Sequence, residues 1–269
     1  MLGRGRLRHR PDARGQRRAV GARVPDPSRC VVVGAGSPVG RAVVADLTKQ
    51  GIAVTAVDVE PDVLAEATTA GAATLAADVS LPAGRTALRT AAAGARHLVV
   101  VPAAPTTCPL DEVTEELWDA VLTQHARTVF LVLQAVCPLL PARGSAVVVS
   151  SVAGKTSRNP EIAVYSASEA AVLSLVRSFA NAHAVRGVRV NAICTGIVET
   201  PENERYLAEV AAARGTSVET LSAARFALVP MGRAARPEEC ARTVRALLSD
   251  DTSFVTGQAV NVTGGFHNY

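Results

Sequence analysis

Between residues 30 and 262 one unit recurs: a short aliphatic run, a turn, then a longer amphipathic stretch. The runs are Cys30–Val33, Ala53–Asp58, Ala72–Asp78, His97–Val101, Ser145–Ser151, Val188–Ile193 and Gln258–Val262. Runs four and five, HLVVV and SAVVVSS, are apolar without alternation. A strand with one wet face alternates; a strand covered on both faces does not. Strands covered on both sides and joined by helices pair in parallel through right-handed crossovers, giving a doubly wound α/β sheet. Helices are expected from about Pro61, near 83–94, over a long stretch near 114–137, around Tyr165, and from Pro237, where Glu238 and Glu239 suit the first turn. Ligands of such sheets bind beyond the carboxyl ends of the strands. Functional residues are therefore expected just after each run.

After the first run, VVVGAGSPVGRA places Gly34, Gly36 and Gly40 between a strand and a helix. Glycines let a backbone turn tightly and approach a pyrophosphate, whose charge meets the helix N-terminus. Asp58 ends the second run, 18 residues after Gly40. A carboxylate there accepts from both ribose hydroxyls and repels a 2′-phosphate, which favours NAD over NADP; a plain helix cap is the other reading. Asp78, after the third run, is placed for an adenine amino group or for a turn.

The 269 residues suit one large domain, and 48% hydrophobic content supplies its core. No apolar run reaches the ~18 residues of a membrane span, so no membrane association is expected. Cys30, Cys108, Cys137, Cys194 and Cys240 are scattered without a C-x-x-C pair, which disfavours a zinc site or disulfide framework and sets a reducing cytoplasm as the expected compartment. No metal is expected. Residues 1–29 hold nine arginines against Asp12 and Asp26, a charge of +7, so the rest of the chain carries −3 of the net +4. This Gly/Arg/Pro leader has no apolar period and reads as disordered, or as lying upstream of a true start near Val20 or Val24. It lacks the aromatics that would accompany nucleic-acid binding, and no nucleic acid is expected.

The ordered motifs from Cys30 to Gly265 resemble those of the short-chain dehydrogenase/reductase family. The glycine signature of that family, T-G-x-x-x-G-x-G, corresponds to Val33-Gly34-Ala35-Gly36-Ser37-Pro38-Val39-Gly40, with its first and last glycines kept, Pro38 for the middle one and Val33 for the threonine. Asp58 and Asp78-Val79 match its ribose and adenine contacts. PLDEVTEELWDAVL (109–122) resembles its dimer-interface helix, and Ser150-Ser151-Val152-Ala153-Gly154 its catalytic-serine segment. Tyr165 follows Ser151 by 14 residues; VNAICTG (190–196) and GQAVNVTGG (257–265) match its last two strands. The resemblance implies one Rossmann-type domain over residues 30–269, a seven-stranded parallel sheet of order 3-2-1-4-5-6-7 with helices on both faces, and residues 200–230 as a substrate lid. It implies a dinucleotide held by Gly34, Gly36, Val39, Gly40, Asp58, Asp78, Val79 and Thr200, and an alcohol/carbonyl reaction with Ser151 and Tyr165 as catalytic residues. It also implies a small-molecule substrate and a homodimer or homotetramer.

Four departures cluster at the chemical end. Val101-Pro102-Ala103-Ala104 stands where the family has Asn-Asn-Ala-Gly, His125 where it has an asparagine, Thr195 where it has a proline, and Glu169 where it has the lysine that follows the tyrosine by four residues. A cation near a tyrosine favours phenolate and a carboxylate opposes it. Lys155, four residues after Ser151, is one substitute cation in a loop that could face the site, with Arg158 nearby; otherwise Lys155 is a solvated loop residue. His125 and Glu169 together with Tyr165 suggest a rebuilt proton relay. The expected function is NAD-dependent alcohol/carbonyl oxidoreduction with a modified relay. The alternatives are a non-redox isomerase, dehydratase or cyclase, and a silent subunit paired with an active paralogue.

Overall fold

A computed structural model describes residues 29–157 and 159–268. The expectations for residues 1–28, Arg158 and Tyr269 lie outside the described residues. Strands β1 (Arg29–Val33), β2 (Ala53–Asp58), β3 (Ala73–Ala76), β4 (His97–Val100), β5 (Ser145–Ser151), β6 (Arg189–Thr195) and β7 (Ala259–Val262) form a single sheet of order β3-β2-β1-β4-β5-β6-β7. All pairings are parallel. Val33 stands opposite both Val57 and Val100, so β1, β2 and β4 end level where the strand order reverses, which opens the crevice of a doubly wound sheet.

Helices α1 (Pro38–Lys49), α2 (Ala65–Thr69), α3 (Pro82–Ala91), α4 (Glu115–Leu122), α5 (Thr128–Val136), α6 (Ala163–Ala184), α7 (Pro201–Arg214), α8 (Val218–Phe226) and α9 (Pro237–Leu248) follow the sheet. Neighbouring strand residues enter different cores. Val31 and Leu98 pack with Leu133 and Val176 on one face; Val32 and Val99 pack with Val43, Leu47 and Val244 on the other. That division explains the unbroken apolar runs, because all of β4 and all but the last residue of β5 are buried between the two layers. Prolines open α1, α3, α7 and α9, where the missing N–H costs no helical bond.

Three expected boundaries are corrected. Arg29 belongs to β1 rather than to a leader: it pairs with Ala53, and its guanidinium donates to the Ala91 and Ala93 carbonyls at the end of α3. The helix expected from Pro61 is a 3-10 turn, Asp62–Leu64, followed by the short α2. The long helix near 114–137 is interrupted by a π-helical turn, Thr123–Arg127, between α4 and α5. Within it the Ala126 N–H bonds to Ser168 Oγ on α6 at 3.2 Å. The Thr128 hydroxyl then caps the Thr123 carbonyl at 2.7 Å.

Two helical stretches, Glu115–Leu139 and Pro160–Ala184, are long and apolar enough to cross a membrane by length and composition. Here both lie on the sheet and against each other, with their apolar sides in its core.

Candidate active site

A cavity of about 860 Å³ lies beyond the carboxyl ends of the strands. The turn after β1, the segment after β4, the ends of β5 and β6, one face of α6, and helices α7 and α8 line it. Gly34, at φ +78, begins the first turn; a Cβ there would overlap the Val101 carbonyl oxygen. Gly40 comes so close beneath the turn that a Cβ would overlap the Gly34 carbonyl. Ser37 locks the turn, donating to Gly34 O at 2.8 Å and accepting from Gly40 N–H at 3.1 Å. Gly36 and Val39 line the cavity, while Gly34 and Gly40 shape it from below.

Asp58 stands at the edge of this turn. Its Oδ2 accepts from the Gly36 N–H and its Oδ1 from the Val59 N–H, both at 2.8 Å. It is a turn organiser rather than a helix cap. The glycine turn and the oriented carboxylate fit the adenosine half of a nicotinamide dinucleotide, with backbone close to a diphosphate and an acceptor at a ribose. Thr200 caps α7, accepting from Asn203 N–H, and lines the cavity. Asp78 accepts from Ser80 N–H at 2.8 Å and Val79 packs into the core; neither is among the cavity-lining residues.

Ser151, the last residue of β5, and Tyr165, in the first turn of α6, face the same cavity. Glu169, one helical turn beyond Tyr165, is 1% exposed. Its Oε2 accepts from Ser150 Oγ at 2.7 Å and from the Ser151 N–H at 3.1 Å. Its Oε1 lies 3.0 Å from His125 Nδ1. His125 is fully buried, meets the Tyr165 ring edge-on with centroids 5.1 Å apart, and its Nε2 has no hydrogen-bond partner. The π-helical turn places it there. The Tyr165 phenol is pushed well above its ordinary range, first by burial and then by the Glu169 carboxylate; the Ser151 hydroxyl works in the opposite sense. Burial and the carboxylate both favour the protonated phenol.

Lys155 corrects both sequence readings. It neither faces the cavity nor lies in solvent: its ammonium donates to the Ala259 carbonyl at 2.9 Å and to Asn261 Oδ1 at 2.6 Å, tying the turn after β5 to β7. The sequence reading missed Ser150 and Ser168. For Ser150 the signal was the acid itself, since a buried Glu169 requires donors and a serine next to Ser151 was the nearest one available; Ser168, which accepts from the Ala126 N–H, had none.

The chain matches known proteins over most of its length. The family model described as enoyl-(acyl carrier protein) reductase covers residues 34–267. A 3-oxoacyl-[acyl-carrier-protein] reductase of Thermotoga maritima is 39% identical over 153 residues, 56% of this chain and 57% of that protein. The chain thus spans little more than half of that relative. The dog (3R)-3-hydroxyacyl-CoA dehydrogenase is 30% identical over 258 residues, 88% of this chain and 95% of that protein. The NADPH-bound structure of a short chain oxidoreductase from Pseudomonas aeruginosa PAO1, described as containing an atypical catalytic center, superposes with a TM-score of 0.80. It is 30% identical and covers 90% of this chain and 97% of its own. From the glycine turn through β7 the agreement is continuous, and the chain belongs to the short-chain dehydrogenase/reductase family.

Proposed function

We propose that the protein interconverts a secondary alcohol and a carbonyl on a small or medium-sized substrate, with NAD(H) as cofactor and a modified proton relay. The observation that carries this reading is that Ser151 and Tyr165 line the same strand-end cavity as the glycine turn organised by Asp58. Gly34, Gly36, Val39, Gly40, Asp58 and Thr200 would hold the dinucleotide, with Asp78 and Val79 at its adenine end. When bound, that group supplies or accepts a hydride. Ser151 Oγ hydrogen-bonds the substrate oxygen and Tyr165 gives it a proton. Glu169 reaches both the cavity and His125, and this pair returns the proton to Tyr165. Because Tyr165 is held as a phenol, carbonyl reduction is the favoured direction. Residues 200–230 act as the substrate lid. Exposed Trp118 and Phe130 on the α4–α5 stretch support pairing with a second copy.

The test is calorimetric titration with NADH and NADPH, followed by turnover of a carbonyl panel by His125→Ala and Glu169→Ala. Micromolar NADH binding, weaker NADPH binding and a loss of about 10² in reduction rate in both variants are expected. Turnover unchanged in either variant would remove the relay; no dinucleotide binding would remove the redox reading. The second reading, non-redox acid/base chemistry, is favoured by one observation: among the described residues lining the catalytic end of the cavity there is an acid, Glu169, and no lysine.

A further inference from the structure

Two half-buried arginines in this protein meet carboxylates, and a buried one has a full set of acceptors. Arg233 grips Glu239 through two bonds of 2.7 Å, and Arg245 meets Asp46 at 2.7 Å. Arg189 is surrounded by carbonyl oxygens. Arg225 is different. It is half-buried on α8 and lines the cavity. Its contacts among the described residues are one amide oxygen, Asn203 Oδ1 at 3.0 Å, and the face of Tyr206, 6.0 Å from the ring centroid. Neither is an anion. Burial acts against its charge, and Tyr206 offsets this only in part. A charge withdrawn from water without a counter-ion is costly, and an anion entering the cavity would offset that cost.

The surroundings agree. Arg214, exposed at the end of α7, lines the same cavity. Arg205 lines it as well and already has a partner. Among the described lining residues the one acid is Glu169, which is held by Ser150, the Ser151 N–H and His125. Among the described residues, the α7–α8 lining carries Arg205, Arg214 and Arg225, with Leu207, Val210 and Leu221 beside them.

We propose that the substrate carries an anionic group, a carboxylate or a phosphate, which Arg225 binds with Arg214 while its carbonyl lies at Ser151 and Tyr165. This rests on the reading of the cavity as the substrate site. Arg225, with Asn203 and Tyr206 fixing its guanidinium, sets specificity rather than chemistry. A planar guanidinium suits both carboxylate and phosphate.

The test uses protein saturated with NADH and a ladder of oxo-carboxylates from acetoacetate to 7-oxooctanoate, each against its methyl ester. A second arm uses oxo-alkyl phosphates against the parent oxo-alcohols. Binding is followed by calorimetry and turnover separately. At one chain length the anion should bind about tenfold more tightly than its neutral partner, equivalent to about 1.4 kcal/mol. Whichever arm shows the preference identifies the anion. Arg225→Leu should abolish it by raising KM for the anion about tenfold, with kcat and the KM of the neutral partner unchanged. Arg225→Lys should restore part of it, and Arg214→Leu should lose a smaller share. NADH affinity should not change. Equal affinity for anions and neutral partners at every length, or a preference that survives Arg225→Leu, overturns the inference; so does a loss of NADH affinity in its place. The two proposals separate cleanly. Anion preference without turnover leaves the inference and sinks the redox reading, and turnover of neutral carbonyls without anion preference does the reverse.

Discussion

Glu169 occupies a seat that no other residue type fills in the same way. One oxygen accepts two donors from consecutive residues of β5, and the other faces an imidazole. Its effect on Tyr165 has a sign that kinetics can read. An ordinary tyrosine titrates near ~10; this one is displaced upward by burial and by Glu169. Below its pKa the base needed for alcohol oxidation is scarce, while the acid needed for carbonyl reduction is abundant. Oxidation should therefore rise about tenfold per pH unit from 7 to 10 without a plateau, and reduction should stay flat over the same range. Stopped-flow rates of both directions against pH check this. A break near neutrality in the oxidation limb would identify an imidazole as the base and remove Tyr165 from that role.

At the scale of elements, Arg189 joins β6 to the end of α9. Its guanidinium donates to the carbonyls of Leu247, Leu248, Ser249 and Val255, at 2.8 to 3.3 Å. A helix leaves its last carbonyls unpartnered, and here a strand side chain satisfies them inside the protein. Arg189→Met removes the charged donor from each of these carbonyls, which keep only Thr252, Ser145 and Asn191 as partners. It should cost about 3 kcal/mol, read as a lowered urea midpoint at unchanged slope. None of this was legible in VRVNAI, where Arg189 reads as one of two polar residues in an otherwise apolar strand. The sites that were legible are those where chemistry restricts residue type locally: glycines at a turn, an acid ending β2, a tyrosine at fixed distance from a serine. The destination of Lys155 and the π-helical turn were not, because the partners they meet lie 104 and 42 residues away. The element order and the two-sided burial were readable for a different reason: the valine runs leave a strand no solvent face to choose.

Across the whole molecule, acid stability depends on carboxylates held by arginines on either side of α9. The Glu239 carboxyl is brought down to about 2 from its ordinary 4.5 by bonding to Arg233 and to the Arg236 N–H. Asp250 is also lowered: burial opposes the shift, but Arg96 and Arg143 outweigh it. Groups with folded values below their unfolded ones stabilise the fold fully at higher pH, and that contribution disappears as pH falls through the folded value. For Glu239 the window runs from about 4.5 down to about 2. Stability should be level from pH 7 to 5 and then decline. Glu239→Gln should cost about 1 kcal/mol at pH 7, allowing for solvent screening, and the difference from wild type should vanish by pH 2. A gap between the two urea midpoints that stays constant with pH would refute the assignment.

The π-helical turn has a consequence for evolution as well as for chemistry. Each α-helical residue advances the chain by about 100°, so one residue more or less within 123–127 rotates everything on one side against the other. Trp118, on the outer surface, and His125, inside beside Glu169, sit on the same helical stretch with that offset between them. A single-residue deletion in the turn would bring the stretch back into α-phase and leave only one of the two correctly aimed. The outward face and the inward imidazole are thus set like two teeth on one shaft, and neither can be re-indexed alone.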